Sequence, residues 1–421
     1  MKDIKPGISF LDINGCGADV SSFSLFDNTH QNSKATISLL AMPPLFDAHV
    51  HSRDPGFTYK EDLESFKNAA LHGGFSGAAM MPNTSPVCDC ESVLEDVMSR
   101  ANLDGASGPF LFGSKTSFLQ LCAVTKGQKG KEICDLEYLS SLGAGGFSDD
   151  GRPVEDDGIM KEAMKRAFAL GKTISSHCEV LSLAAGGCMN QGEFSAKLGL
   201  KGIPNSSEYL MIERDIRLAA ETDTRIHIAH VSTKEGFELI RKAKKSGIGV
   251  TCETCPHYFI FNDSLPEKMG SYAKMNPPLR SEADRIAVLE AVCDGTCDAI
   301  VTDHAPHSPE DKHRGEDLKT QLERSSFGVI GIETSFAASY THLVKTGLIS
   351  LGRLFELMCT GPRKLFGAKT DESRVALFDL ESPFTVDRTT LHSKSENCVF
   401  DGCTLFGKCV GYGTVKRRDA Q

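Results

Sequence analysis

From about residue 38 onward, short runs of apolar, β-prone residues alternate with longer stretches whose apolar residues recur at helical spacing. The strand-like runs are LLAMPPLFDAHVH, FSGAAMMPNT, GPFLFGS, AGGFSDD, KTISSHCE, TRIHIAHVS, GIGVTCETCPH and CDAIVTDHAPH. Between them lie amphipathic patterns such as YKEDLESFKNAALHGG and IMKEAMKRAFALGK. This order predicts repeated βα units, and eight strands predict an α/β chain folded as a (β/α)8 TIM barrel. A doubly wound open sheet would carry a Gly-rich phosphate turn after its first strand, and GxGxxG is absent.

The two ends break the pattern. Residues 1–42 are rich in Gly, Ser and Asp, and residues 371–421 read as short strands with turns (RVALFDLESPFTV, GCTLFGKCVGYGTV). They are expected to form a small β-rich side domain beside a barrel of residues 43–370. The polar stretch from Ser308 to about Ile330 follows the last strand-like run and predicts an active-site loop or lid.

Composition narrows the function. A net charge of −10 without a long basic run argues against nucleic acid, and an anionic substrate would need its own basic pocket. No leader pattern and no membrane-length apolar run is present, so a cytoplasmic protein with mostly reduced thiols is expected. Cys252 and Cys255 have the spacing of a zinc knuckle or redox pair but no partner pair downstream, and are read as ordinary thiols of a strand and its turn. Cys88 and Cys90, and Cys293 and Cys297, likewise receive no chemistry.

The informative polar residues fall at the carboxyl ends of the strand-like runs, where a barrel places its active site. The first run ends in Asp47-Ala48-His49-Val50-His51, whose alternation turns both imidazoles to one side. Others end in Asp149-Asp150, His177, His230 and Asp303. Imidazoles and carboxylates converging on one rim are the ligand set that zinc prefers. His227 lies three residues before His230 and is expected to point away as a packed histidine, while His257 is read as either structural or supporting.

The motifs DAHVHSRDPG, MMPNTSP, FSDDGRPV, SHCE, HVSTKE, MNPPLR and TDHAPHSPEDK, in that order, resemble the class I bacterial dihydroorotases of the amidohydrolase superfamily, and the resemblance runs from about residue 40 to 370 with the C-terminal sheet recognisable too. The resemblance implies one or two Zn2+ ions per subunit held by His49, His51, Asp150, His177, His230 and Asp303, with Asp150 where many relatives carry a carboxylated lysine. It implies substrate contacts from His51, Arg53, Asn83, Asn276 and His307, with Phe327-Gly328 over a dihydropyrimidine ring. Asp303 is then the catalytic acid–base in the reversible closure of N-carbamoyl-L-aspartate to L-dihydroorotate, a step of pyrimidine (UMP) biosynthesis. A homodimer is expected, with aspartate transcarbamoylase as a candidate partner.

Ser52 and Val301 depart from the family's usual residues, and the loop after Ser308 carries extra charge. The rival readings are an allantoinase or dihydropyrimidinase, which usually place a lysine where this chain has Asp150, and a non-catalytic partner of aspartate transcarbamoylase, which tends to lose metal histidines.

Overall fold

A computed structural model describes residues 8–26, 37–101 and 117–415. The strands that matter are β1 (Ile8–Leu11), β2 (Val20–Leu25), β3 (Ile37–Met42), β4 (Leu45–Val50), β5 (Phe75–Met80), β6 (Ser117–Gln120), β7 (Ser175–Ser176), β8 (Arg225–Ile228), β9 (Gly249–Thr254), β10 (Ala299–Ile300), β11 (Arg374–Asp379) and β12 (Lys408–Val415). The run GPFLFGS at 108–114 lies outside the described residues, and the strand that pairs with β5 is β6.

Parallel pairing runs from β4 through β5 to β6, and from β7 through β8 and β9 to β10. Phe147 joins the two series, bridging Cys122 on one side and Ile174 on the other. It is the part of AGGFSDD that pairs, in isolated bridges rather than a strand. At the far edge Val50 bridges His304, and the His51 N–H donates to the His304 carbonyl at 2.9 Å. The sheet thus curls back onto its own first strand. Both faces of β4 are buried, as expected of parallel strands covered on both sides.

Helices fill the connections. The one at Leu63–His72 starts at Asp62, whose carboxylate accepts from the Ser65 N–H in a capping box, and stops at Gly73. Its buried stripe of Leu63, Phe66, Ala69 and Ala70 follows the helical period and joins the main core with Phe118 and Phe147.

The first apolar run is two strands rather than one. Pro43-Pro44 separates β3 from β4, because proline has no N–H to give a ladder. β3 belongs instead to a five-stranded sheet ordered β1-β3-β11-β12-β2, in which the β1–β3 pair is parallel and the rest antiparallel. Strand alternation sorts its side chains. Leu39, Ala41, Val375 and Leu377 form a cluster with Phe10 and Val20, while Leu40, Met42, Ala376 and Phe378 pack into the main core. No helix among the described residues is long and apolar enough to cross a membrane.

Candidate active site

His49 sits on β4 and His51 just past its end, with ring centroids 5.5 Å apart. Around them the structure gathers Asp150, His177, His230 and Asp303, all buried. The donor atoms of His49, His51 and Asp303 lie within 4.8 Å of one another, and so do those of His49, Asp150 and His230. Asp150 is central. Its Oδ1 is 3.4 Å from His49 Nε2, 3.3 Å from His177 Nδ1 and 3.5 Å from His230 Nε2, while Oδ2 is 3.5 Å from His51 Nε2. His177 Nδ1 and His230 Nε2 are 2.8 Å apart, so His177 lies against the second group of donors.

The backbone is strained where these side chains emerge. Arg53, His230 and Asp303 have φ of 61°, 33° and 45°, a region that side-chain-bearing residues seldom adopt. At Arg53 the chain has left β4 and turned left-handed, so strand alternation does not direct this side chain.

The charges of the cluster are tightly coupled. Burial opposes ionisation of Asp150, but His49, His177 and His230 hold its pKa well below the ordinary value. Burial likewise lowers the His177 pKa, yet Asp150 and Glu179 lift it to about 10. Asp303 stands at about 2, where burial is outweighed by the His51 hydrogen bond and the nearby imidazole charges. Imidazole charge is what keeps both carboxylates ionised in this buried volume. His49 Nε2 and Asp150 Oδ1 are moreover buried without a hydrogen-bond partner among the described residues. Borderline nitrogen and oxygen donors with unsatisfied buried atoms fit a divalent cation such as zinc.

Several supporting residues escaped the sequence reading. His49 donates from Nδ1 to Glu253 Oε1 at 2.7 Å, and Glu253 Oε2 is 3.0 Å from His227 Nε2. His227 is packed as expected, with Thr251 at its other nitrogen, but it braces the carboxylate that orients His49. Glu253 gave one signal: it alternates with Thr251 inside a strand, and a carboxylate buried in a strand needs partners. His257 is buried, its Nε2 has no partner among the described residues, and burial takes its pKa down to about 4.

The residues expected to meet substrate form a second ring. Asn83 accepts from His51 Nδ1 at 2.8 Å and reaches Asp150 Oδ2 at 3.3 Å. Asn276 donates to Glu179 at 3.0 Å, and its own Oδ1 has no partner among the described residues. Arg53 donates from Nε to the Pro306 carbonyl at 3.1 Å, and its terminal nitrogen is 3.3 Å from His307 Nε2. Gly328 has φ 138°, and a Cβ there would meet the Ala305 carbonyl at 2.7 Å and the His307 ring at 2.9 Å. Only glycine lets Phe327-Gly328 lie this close to His307.

The polar segment after Ser308 holds two short helices, Pro309–Lys312 and Leu318–Arg324. Lys312 is fully buried and donates to the carbonyls of Lys274, Ser326 and Gly328 at 3.0, 2.9 and 2.9 Å. An ammonium has three donors, and here all are used. All fifteen cysteines are free, with Cys252 and Cys255 buried.

Residues 38–236 match the family described as dihydro-orotase-like. The chain is 43% identical over 374 residues to the dihydroorotase of Acetivibrio thermocellus, covering 87% of this chain and 84% of that protein. It is 39% identical over 413 residues to the dihydroorotase of Desulforapulum autotrophicum, covering 97% and 88%. In structure it is similar to the L-hydantoinase (dihydropyrimidinase) of Arthrobacter aurescens, with a TM-score of 0.78 and 24% identity over 96% of this chain and 92% of that one. It shares the hydantoinase fold, and sequence identity sustained over nearly the whole length makes the chain a member of the dihydroorotase family of cyclic amidohydrolases.

Proposed function

We propose that this chain catalyses the reversible, zinc-dependent cyclisation of N-carbamoyl-L-aspartate to L-dihydroorotate, as a class I bacterial dihydroorotase of pyrimidine biosynthesis. The observation that carries the reading is the convergence of His49, His51, Asp150, His177, His230 and Asp303 on one buried volume beside the Arg53–His307 pair. The framework is read as a (β/α)8 barrel of residues 43–370 with a side domain from 1–42 and 371–421. The curled parallel sheet and the five-stranded sheet built from both ends of the chain support it.

One or two zinc ions would be held by His49, His51 and Asp303 and by Asp150, His177 and His230. When bound, zinc lowers the pKa of a water and polarises the attacked carbonyl. The protein's own groups do the rest. Arg53 and His307 grip the substrate carboxylate with charge-assisted hydrogen bonds, fixing the ring over the donor cluster. Asn83 and Asn276 offer amides to the ring, and Phe327-Gly328 covers it. Asp303 takes the proton from the attacking water and hands it to the departing ring nitrogen, and closure reverses that transfer. A homodimer and association with aspartate transcarbamoylase belong to the same reading.

The test is direct. The purified chain should form dihydroorotate from carbamoyl aspartate, lose the activity to a chelator and regain it with zinc. Activity that survives complete metal removal would overturn the zinc assignment.

A further inference from the structure

Lys60 belongs to none of the residues assigned a role above, yet it touches one of them. Its ammonium is 3.1 Å from Nδ1 of His307 and 3.1 Å from Oδ2 of Asp311. An ammonium only donates, so Nδ1 must present its lone pair. A neutral imidazole carries one N–H, and that proton is then on Nε2. The ring is neutral, because burial and the charges of Arg53, Lys60 and Lys312 depress its pKa.

Asp311 is the competing partner for Nδ1, but at 3.7 Å it is beyond hydrogen-bond range. It serves Lys60 instead, and Tyr59 and Arg314 also donate to its carboxylate. On the other side of the ring, Arg53 approaches Nε2 to 3.3 Å. A guanidinium has no lone pair to offer, so this contact is donor against donor. Such a pair is satisfied when one acceptor, best an anion, spans both groups.

We infer that Lys60 is a positioning residue: by occupying Nδ1 it fixes His307 as an Nε2–H donor, so that Arg53 and His307 form a fork for one carboxylate oxygen. The inference rests on the carboxylate clamp proposed above and adds a basis for selectivity. With Nε2 as an acceptor, Arg53 would satisfy itself on His307 and the pocket would lose its demand for an acid. With Lys60 in place, a dihydropyrimidine carrying a ring-adjacent carboxylate is preferred over an uncharged one.

The test reads the tautomer first. In the ligand-free protein with 15N-labelled histidine, long-range proton–nitrogen spectra, with His307 identified by its loss in His307→Asn, should show protonated Nε2 and bare Nδ1. Lys60→Met should move His307 toward the other tautomer and raise KM for dihydroorotate about tenfold with kcat little changed. Lys60→Arg, which also only donates, should restore both. A protonated Nδ1 in the unsubstituted protein, or an unchanged tautomer in Lys60→Met, overturns the inference. If Lys60→Met does not fold, the spectrum of the unsubstituted protein decides alone. Arg53→Met separates the two readings: unchanged KM there rejects the clamp, whereas raised KM there with unchanged KM in Lys60→Met rejects only the role of Lys60.

Discussion

His49 is held at its Nδ1 by Glu253 across 2.7 Å, and Glu253 is held in turn by His227 at 3.0 Å. The pair fixes which nitrogen His49 presents to the donor cluster. Carboxylates placed this way orient a metal-binding imidazole and raise its basicity. Glu253→Gln keeps the shape and removes the charge, so zinc affinity should fall by about 10–100-fold in a chelator competition. Unchanged affinity would reduce Glu253 to packing.

Asp303 separates metal binding from proton transfer. Asp303→Asn leaves His49 and His51 to hold zinc but cannot take a proton from the nucleophile. Turnover in both directions should fall by a factor of about 10²–10⁴ while much of the metal stays. His51→Ala should lose metal and activity together. Near-normal turnover of a zinc-loaded Asp303→Asn protein would move the acid–base role to another group, with His307 first.

Arg53→Met should raise KM for dihydroorotate at least about tenfold and leave zinc content intact, since a charged hydrogen bond contributes about 1.5–3 kcal/mol. Steady-state kinetics with metal analysis on the same sample checks both halves.

Lys312 bears on the segment after Ser308. Lys312→Met removes its bonds to the carbonyls of Lys274, Ser326 and Gly328; Lys274 keeps the Gly328 N–H and Gly328 keeps the Asn397 amide, so the Ser326 carbonyl is the one left unsatisfied, at about 1–3 kcal/mol. Limited proteolysis between His313 and Leu318 should therefore speed up in the variant, and saturating ligand should slow it. Equal cleavage of both proteins would show that Lys312 does not hold the segment.

The candidate site was largely legible because its residues end apolar runs, where local alternation says which way they face. His49 and His51 are the clearest case. Glu253 was hidden beside Cys252 and Cys255, which drew attention to a spacing that the structure leaves as buried free thiols. Arg53 is legible only through its motif, because a φ of 61° and not strand alternation directs it. Lys312 could not be read at all. It lies in a run of charged residues, and the carbonyl of Lys274 that helps bury it is 38 positions away. The break between β3 and β4 is written in Pro43-Pro44, which an apolar pattern continuous on both sides of it masks.

The central claim is the substrate. Purified protein, with zinc counted on the same sample, should be offered dihydroorotate, allantoin and dihydrouracil. The proposed clamp predicts turnover of dihydroorotate well above both others, because of the three only that ring carries a carboxylate for Arg53 and His307 to bind. Dihydrouracil or allantoin turned over as fast as dihydroorotate, or no turnover of any of the three by the zinc-loaded protein, would contradict it.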